Sequence, residues 1–177
     1  MRKTKLLAVI VIMGILIVSS CGKAGKNDID ALLMNQKIVF IMSVSSYEEP
    51  YAEGYFIDGK GKRHVYGLFD HPFESIEKEY AYLMEHYDEF KTNDLFDDKN
   101  LRECAEALYH VDPDSETRKE GEVIFDCPEY ILYGIRQIDG QEEFVRLEAY
   151  SGILERLDDS SADLIYEIFG DAWYSMK

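Results

Sequence analysis

A largely apolar run and a run of alternating apolar and polar side chains flank the dipeptide Asp139-Gly140, and a third run follows them. These runs cover residues 130–138, 144–150 and 153–157. Asp-Gly favours the two-residue turn that joins antiparallel strands, and alternation is typical of strands that bury one face. Ser151-Gly152 marks a second turn. The sequence therefore predicts a three-stranded antiparallel meander in the C-terminal part of the chain.

A second group of strands is predicted in the N-terminal half. Residues 38–44 form an apolar run that is too short for a helix and contains β-branched side chains. Such a run is typical of a central strand with both faces buried. Residues 51–58 and 63–69 are strand-like and are separated by a glycine-rich stretch. They predict a hairpin whose turn lies at or near Asp58 and Gly59.

Three amphipathic helices are also predicted. The clearest one has apolar side chains at steps of three and four residues: Phe73, Ile76, Tyr80, Leu83, Tyr87 and Phe90. Asp70 is its candidate N-cap, and its opposite face is acidic. A shorter helix is predicted over residues 101–108. The last helix is predicted over residues 162–173, after a capping box formed by Ser160 and Asp163.

This order of elements indicates an α+β fold, in which a mostly antiparallel sheet packs against amphipathic helices. Residues 37–177 are predicted to form it as a single domain. The segments 93–100 and 112–122 are polar or charged and are predicted to be surface loops, with a short strand at 122–125. Aromatic residues make up 13% of the chain and apolar residues 46%, which is enough for a packed core.

The N-terminus has the order of a secretory signal. Three basic residues lie among the first five, and the 13 residues at 6–18 are uncharged. This run is shorter than the roughly 20 apolar residues that a membrane-spanning helix needs. It ends in the tetrapeptide Val18-Ser19-Ser20-Cys21.

The tetrapeptide resembles the lipobox of bacterial lipoproteins, with Val18 in place of the usual leucine. This resemblance implies that residues 1–20 are a signal peptide, and that Cys21 becomes a diacylated first residue at the outer face of the cell membrane. Two acyl chains suffice for stable anchoring. Residues 21–36 are then the lipid anchor and tether, of which residues 22–28 are predicted to be flexible and residues 29–34 to begin a short helix. The alternative is an ordinary signal peptide or an uncleaved anchor, in which Cys21 is incidental.

The charge of the chain excludes one class of partner. The chain has 19 basic and 35 acidic residues, and loss of residues 1–20 would change its net charge from −16 to −19 because three bases leave. So acidic a chain repels nucleic-acid phosphates, and no nucleic-acid partner is expected. Anionic lipid surfaces repel it too, so its attachment to the membrane would depend on Cys21 and not on electrostatics.

Cys104 and Cys127 form an even pair once Cys21 is lipidated. In an extracytoplasmic compartment such a pair predicts a disulfide, which would stabilise the fold by roughly 3 kcal/mol on the loop-entropy model. The alternative is two buried thiols that behave as small apolar side chains. Cys104 lies on the apolar face of a predicted helix, which is compatible with either case.

The sequence contains no recognised catalytic or metal-binding motif. Its four histidines occupy scattered positions: His64, His71, His86 and His110. His86 and Glu89 are three residues apart on the predicted helix, so they would either share a metal ion or form an exposed pair. The acidic segments 94–98 and 112–114 lack the glycine and glutamate positions of an EF-hand. No catalytic residue, metal or cofactor is therefore predicted.

Residues 130–157 are similar to PepSY-type modules, in which strands flank a turn and a glycine-containing turn precedes the closing strand. The aspartate usual before that second turn is replaced around Tyr150-Ser151-Gly152. PepSY-type modules are small extracytoplasmic modules that are thought to bind or inhibit partner proteins. We transfer no function from this similarity, which any three-stranded meander would share.

The expected function is binding of a partner protein, peptide or small ligand at the cell envelope. The basis is a tyrosine-rich sheet on a tether, in a sequence without a catalytic motif. One alternative is a hydrolase or metal-dependent enzyme with a dispersed site around His64, His71 or His86. Another is a structural role, or an immunity or inhibitor role.

Overall fold

The structure, a computed structural model, describes residues 29, 30, 33, 36–45, 54–66, 73–121 and 129–175. Within these ranges it contains eight strands: β1 (Ile38–Ser45), β2 (Gly54–Asp58), β3 (Lys62–Tyr66), β4 (Lys91–Asp94), β5 (Thr117–Glu120), β6 (Glu129–Ile138), β7 (Gln141–Tyr150) and β8 (Leu154–Leu157). The described part also contains three α-helices, α1 (Ile76–Glu85), α2 (Asp98–His110) and α3 (Ser160–Ser175), and a 3-10 turn (Tyr87–Glu89).

All eight strands form one antiparallel sheet in the order β4-β3-β2-β1-β6-β7-β8-β5. The α+β prediction with a mostly antiparallel sheet is therefore confirmed. β1 pairs with β2 on one side and β6 on the other, as the apolar run at 38–44 predicts for a central strand. The hairpin β2–β3 and the meander β6–β7–β8 are also present. Asp139 and Gly140 both have positive φ, at 52° and 78°, as the predicted two-residue turn requires.

Each face of the sheet has its own apolar core. α2 and α3 pack on one face, where Phe40 and Leu147 are buried. α1 packs on the other face, over Ile41 and Phe56. Consecutive residues Phe40 and Ile41 thus belong to different cores, because successive side chains of a strand point to opposite faces.

α2 contacts β6 closely because β6 has a glycine at the crossing point. A Cβ atom on Gly134 would lie 2.3 Å from Cδ1 of Leu108. Arg136, two residues further along β6, donates from its guanidinium to the carbonyl oxygens of Leu108 (2.9 Å), Tyr109 (3.1 Å) and Val111 (2.7 Å). These carbonyls lie at the C-terminal end of α2, where no further helical turn follows, and the Leu108 carbonyl also accepts a 3.4 Å hydrogen bond from the Val111 backbone. Arg136 therefore caps the helix from the sheet.

Two strands occur where the sequence predicts loops. β4 lies within and just before the predicted loop 93–100, and β5 lies within the predicted loop 112–122. Both are four-residue strands at the two edges of the sheet. Their sequences, KTND and TRKE, contain no apolar residue, so they carry no hydrophobic periodicity to detect. Short charged edge strands also hinder edge-to-edge aggregation.

The first helix is shorter than predicted. It begins at Ile76 with Ser75 as N-cap, and it ends at Glu85. Asp70, the predicted cap, lies outside the described residues. Tyr87 is in the 3-10 turn, and Phe90 is extended. Both side chains still pack on the core under α1, so their apolar spacing reflects burial and not a continuous helix.

The cap of the last helix also differs from the prediction. α3 begins at Ser160, and Asp159 caps it by accepting hydrogen bonds from the backbone of Ser161 (2.8 Å) and Ala162 (3.0 Å). Ser160 is therefore the first helical residue and not the cap. Aspartate and serine are both favoured at this position, so the sequence pattern leaves the choice between adjacent candidates open.

The chain before β1 is described only in part. Ile29, Asp30 and Leu33 are helical. Ile29 and Gln36 are buried, although both fall in the predicted tether at 21–36. The amide of Gln36 donates to the carbonyl oxygens of Ile38 (2.8 Å) and Ile135 (2.5 Å). The predicted signal peptide at 1–20 and Cys21 lie outside the described residues.

Candidate functional site

A buried polar cluster lies at the turn between β2 and β3. The Asp58 carboxylate accepts hydrogen bonds through Oδ1 from the backbone of Lys60 (2.8 Å) and Lys62 (2.9 Å). Its Oδ2 lies 3.0 Å from Nε2 of His64 and accepts a 2.7 Å hydrogen bond from the Tyr87 hydroxyl. We call Asp58, His64 and Tyr87 the hairpin cluster. The sequence indicated Asp58 only as a turn residue.

The hairpin cluster holds Asp58 in its charged form. Burial would raise the pKa of Asp58, but the hydrogen bonds from Tyr87, His64 and the backbone outweigh it, and the pKa is lowered from its ordinary value. Burial raises the pKa of Tyr87, so its hydroxyl remains a donor at neutral pH. The carboxylate therefore links the β2–β3 turn to the 3-10 turn that follows α1.

His64 is almost fully enclosed. It is 3% exposed, and its ring stacks on Phe56 with centroids 4.4 Å apart. Within the described part of the chain, its Nδ1 is buried without a hydrogen-bond partner. A histidine that contacts an aspartate can act as a general base, but only where a substrate reaches its other nitrogen. The burial of His64 gives its Nδ1 no contact with solvent in this conformation.

The other histidines have separate surroundings. His86 lies 3.1 Å from a Glu89 carboxylate oxygen; the Glu89 side chain is exposed, and that of His86 is half-buried. His110 is the last residue of α2, and His71 lies outside the described residues. Among the residues that the structure describes, no group of three or more histidine, cysteine, aspartate or glutamate side chains could hold a metal ion.

Aspartates in the two acidic segments, 94–98 and 112–114, accept hydrogen bonds from the backbone. Asp97 caps α2 by accepting a 2.7 Å hydrogen bond from the backbone of Asn100. Asp112 accepts a 3.1 Å hydrogen bond from the backbone of Asp114 in the turn after α2. These contacts are those expected of aspartates at helix starts and turns.

A second polar cluster combines tyrosines with a carboxylate and a guanidinium on β6, β7 and β8. Glu148 accepts hydrogen bonds from the Tyr130 hydroxyl (2.8 Å) and from Nε of Arg156 (2.7 Å). The rings of Tyr130 and Tyr150 stack with centroids 5.7 Å apart. The guanidinium of Arg156 lies 4.7 Å from the ring centroid of Tyr166 on α3. We call Tyr130, Glu148, Tyr150 and Arg156 the tyrosine surface.

The tyrosine surface is partly accessible. Glu148 is 8% exposed, whereas Tyr130, Tyr150 and Arg156 are half-buried. Burial and the neighbouring Glu148 raise the pKa of Tyr130, so its hydroxyl stays protonated. Aromatic side chains and arginine are the groups that most often anchor protein partners. The tyrosine count in the sequence pointed to such a surface, but the pairing of Tyr130 with Glu148 depends on strand register.

The tyrosine surface lies at the far end of the sheet from the point where the chain enters it. β1 starts at Ile38, which pairs with Asp58, and ends at Ser45, which pairs with Glu129. Tyr130 and Tyr150 pair with each other beside this second end. An eight-residue strand spans about 23 Å at 3.3 Å per residue. The tyrosine surface is thus separated from the N-terminal segment by about the length of β1.

Cys104 is a buried free thiol on α2. Burial raises its pKa to about 12, so it is a thiol and not a thiolate at neutral pH. Its predicted partner Cys127 lies outside the described residues, and the disulfide between them stays a prediction. Mass spectrometry after alkylation, with and without reductant, tests it.

Comparison with known proteins found no relative. No family model matches the chain, and no curated protein and no solved structure is similar to it. Among the described helices, none has the length and apolar character needed to cross a membrane.

Proposed function

We propose that the protein is a lipid-anchored binding protein at the outer face of a bacterial cell membrane. The observation that carries this proposal is the signal-like N-terminus that ends in Val18-Ser19-Ser20-Cys21. The net charge of −16 supports it, because a chain this acidic needs an anchor to stay at an anionic surface. Two acyl chains on Cys21 would supply that anchor.

We further propose that the tyrosine surface is the binding site for a protein or peptide partner. Its half-buried tyrosine rings and guanidinium belong to the residue types that contribute most binding energy in protein interfaces. Its position supports the proposal as well. The described residues that directly precede β1 lie at one end of that strand, whereas Tyr130 and Tyr150 lie beside its other end.

Replacement of Cys21 tests the anchor. We expect Cys21→Ala to abolish metabolic labelling with a fatty-acid analogue and to move the protein out of the membrane fraction. Ser20→Ala is the matched control, since it keeps a small residue before Cys21 and should leave labelling unchanged. Membrane association and lipid labelling of Cys21→Ala at the wild-type level would show that Cys21 is not the anchor.

Proximity labelling in the native cell tests the binding site. We expect the double substitution Tyr130→Ala and Tyr150→Ala to lose a labelled envelope partner that the wild-type protein retains. Tyr109→Ala is the control, because Tyr109 is a half-buried tyrosine on α2, away from this surface. An unchanged set of partners in the folded double variant would assign binding to another surface.

An enzyme is the second candidate function. The hairpin cluster favours it, since His64 contacts Asp58 through one nitrogen while its other nitrogen is without a partner among the described residues. A hydrolase would need this cluster to open to solvent. A turnover that His64→Gln abolishes in a folded protein, or a stoichiometric metal found by elemental analysis, would favour the enzyme over the binding protein.

A further inference from the structure

Glu79 is a buried carboxyl group between α1 and the sheet. It is 4% exposed, although it lies on a helix whose other glutamates are in contact with solvent. The Tyr66 hydroxyl on β3 lies 2.5 Å from its Oε1, and the Ser43 side chain on β1 also hydrogen-bonds to it. Among the described residues, the groups that shift the pKa of Glu79 are Tyr66 and Ser43, and they include no lysine or arginine.

The two protonation states of Glu79 have different hydrogen-bond arrangements at the same atomic positions. When Glu79 is ionised, the Tyr66 hydroxyl donates to the carboxylate. When Glu79 is protonated, its own O–H can donate to the Tyr66 oxygen. The Tyr66 hydroxyl is also 3.2 Å from the carbonyl oxygen of Met42, so it can then donate to that carbonyl. Protonation thus keeps the hydrogen-bonded connection of α1 to β3 and β1, without leaving a buried charge.

Few charged groups surround this carboxyl. Glu77 on the same helix is exposed. The charges of Glu79 and Glu77 both contribute to raising the pKa of Tyr133 on β6. Arg146 on β7 is half-exposed, and its positive charge lowers the pKa of Tyr133 rather than that of Glu79. A separate contact holds the next residue of α1, because the Tyr80 hydroxyl donates to Glu142 at 2.5 Å. No partner in this set neutralises an ionised Glu79.

We propose that Glu79 is a proton-controlled clasp, which holds α1 on the sheet when it is protonated and loosens α1 when it is ionised. Beneath α1 lie the fully buried side chains of Ile41 and Phe56. Loosening of the helix would therefore expose an apolar sheet face. Local opening of one element at a free energy below that of global unfolding is common in proteins.

The direction of the pH response follows from the burial of Glu79. Burial raises its pKa, and the hydrogen bonds from Tyr66 and Ser43 only partly oppose that effect. A carboxyl whose folded-state pKa lies above its unfolded value of about 4.3 contributes fully to stability below that value. The contribution is lost as pH rises through the folded pKa. The Glu79 contribution therefore holds α1 more tightly at about pH 4 than at neutral and alkaline pH.

Hydrogen exchange of the backbone amides of α1, measured between pH 4 and pH 8, tests the clasp. The protection factors of residues 76–85, corrected for intrinsic exchange, should fall with rising pH by up to tenfold per pH unit, relative to those of α2. Glu79→Gln should remove this pH dependence. Glu85→Gln, which removes the same charge from an exposed position at the end of α1, away from the Ser75 N-cap, should preserve it.

Two results would overturn the clasp: protection of α1 that does not change with pH in the wild type, or a pH dependence that persists in Glu79→Gln. Tyr66→Phe provides a second measurement if Glu79→Gln does not fold. It removes a donor to the ionised carboxylate, so it should move the midpoint of the response to higher pH. An unmoved midpoint would contradict the role of Glu79. The clasp does not depend on lipidation of Cys21 or on the tyrosine surface.

Discussion

At the scale of single residues, the buried carboxylate of Asp58 connects the turn between β2 and β3 to the 3-10 turn that follows α1. Asp58 contacts His64, six residues later in the sequence, and Tyr87, 29 residues later. No local spacing rule connects them, because the contact needs both the register of β2 with β3 and the position of the 3-10 turn. The sequence indicated the turn at Asp58 but not the four donors that its carboxylate binds.

Asp58→Asn should destabilise the protein by about 2–3 kcal/mol, because the amide presents a donor to His64 and Tyr87 in a site that requires an acceptor. Chemical denaturation at pH 7 measures this change. Asp94→Asn is the control, since Asp94 is exposed at the end of β4 and its substitution should change stability by less than about 0.5 kcal/mol. Equal effects of the two substitutions would contradict the role given to the hairpin cluster.

The same carboxylate predicts a dependence on pH. The pKa of Asp58 in the folded protein is below its ordinary value. Its contribution to stability is therefore fully present above the unfolded pKa of about 3.9 and is lost as pH falls through the folded pKa. Stability in acid should fall more steeply in the wild type than in Asp58→Asn. Parallel curves for the two proteins below pH 4 would contradict this assignment.

At the scale of elements, the sequence predicts the strands that bury side chains and misses those that do not. An apolar run, an alternating run and two turn signals, Asp139-Gly140 and Ser151-Gly152, predicted β6, β7 and β8. β4 and β5 escaped detection because edge strands of four polar residues carry no hydrophobic pattern. The pattern at 73–90 indicated one long helix, yet only its middle is α-helical, since Tyr87 and Phe90 pack on the same core without helical backbone.

The contact between α2 and β6 provides a test at this scale. Gly134→Ala should destabilise the protein by about 1–3 kcal/mol, because the new methyl group would overlap the Leu108 side chain. Leu108→Ala should cost about 2–5 kcal/mol by itself. In the double variant the alanine at 134 has space, so the combined loss should be smaller than the sum. Additive losses in a double-mutant cycle would show that the two residues do not compete for space.

At the scale of the whole molecule, charge and topology are the features that bear on the proposed tether. The sheet has two cores, and both of its edges carry polar strands that disfavour pairing with other chains. The N-terminal segment leads to one end of the central strand, and the tyrosine surface lies beside its other end. A diacylated Cys21 would keep such a domain at the membrane. The acidic surface would hold the body of the domain away from anionic lipid.

The most direct test of the proposed anchor is the chemistry of the mature N-terminus. The protein is extracted from native membranes, digested, and its N-terminal peptide is analysed by mass spectrometry. The proposal predicts a peptide that begins at Cys21 with two acyl chains in a thioether-linked lipid on its sulfur. A peptide that contains residues before Cys21, or one that begins at Cys21 with an unmodified thiol, would contradict it.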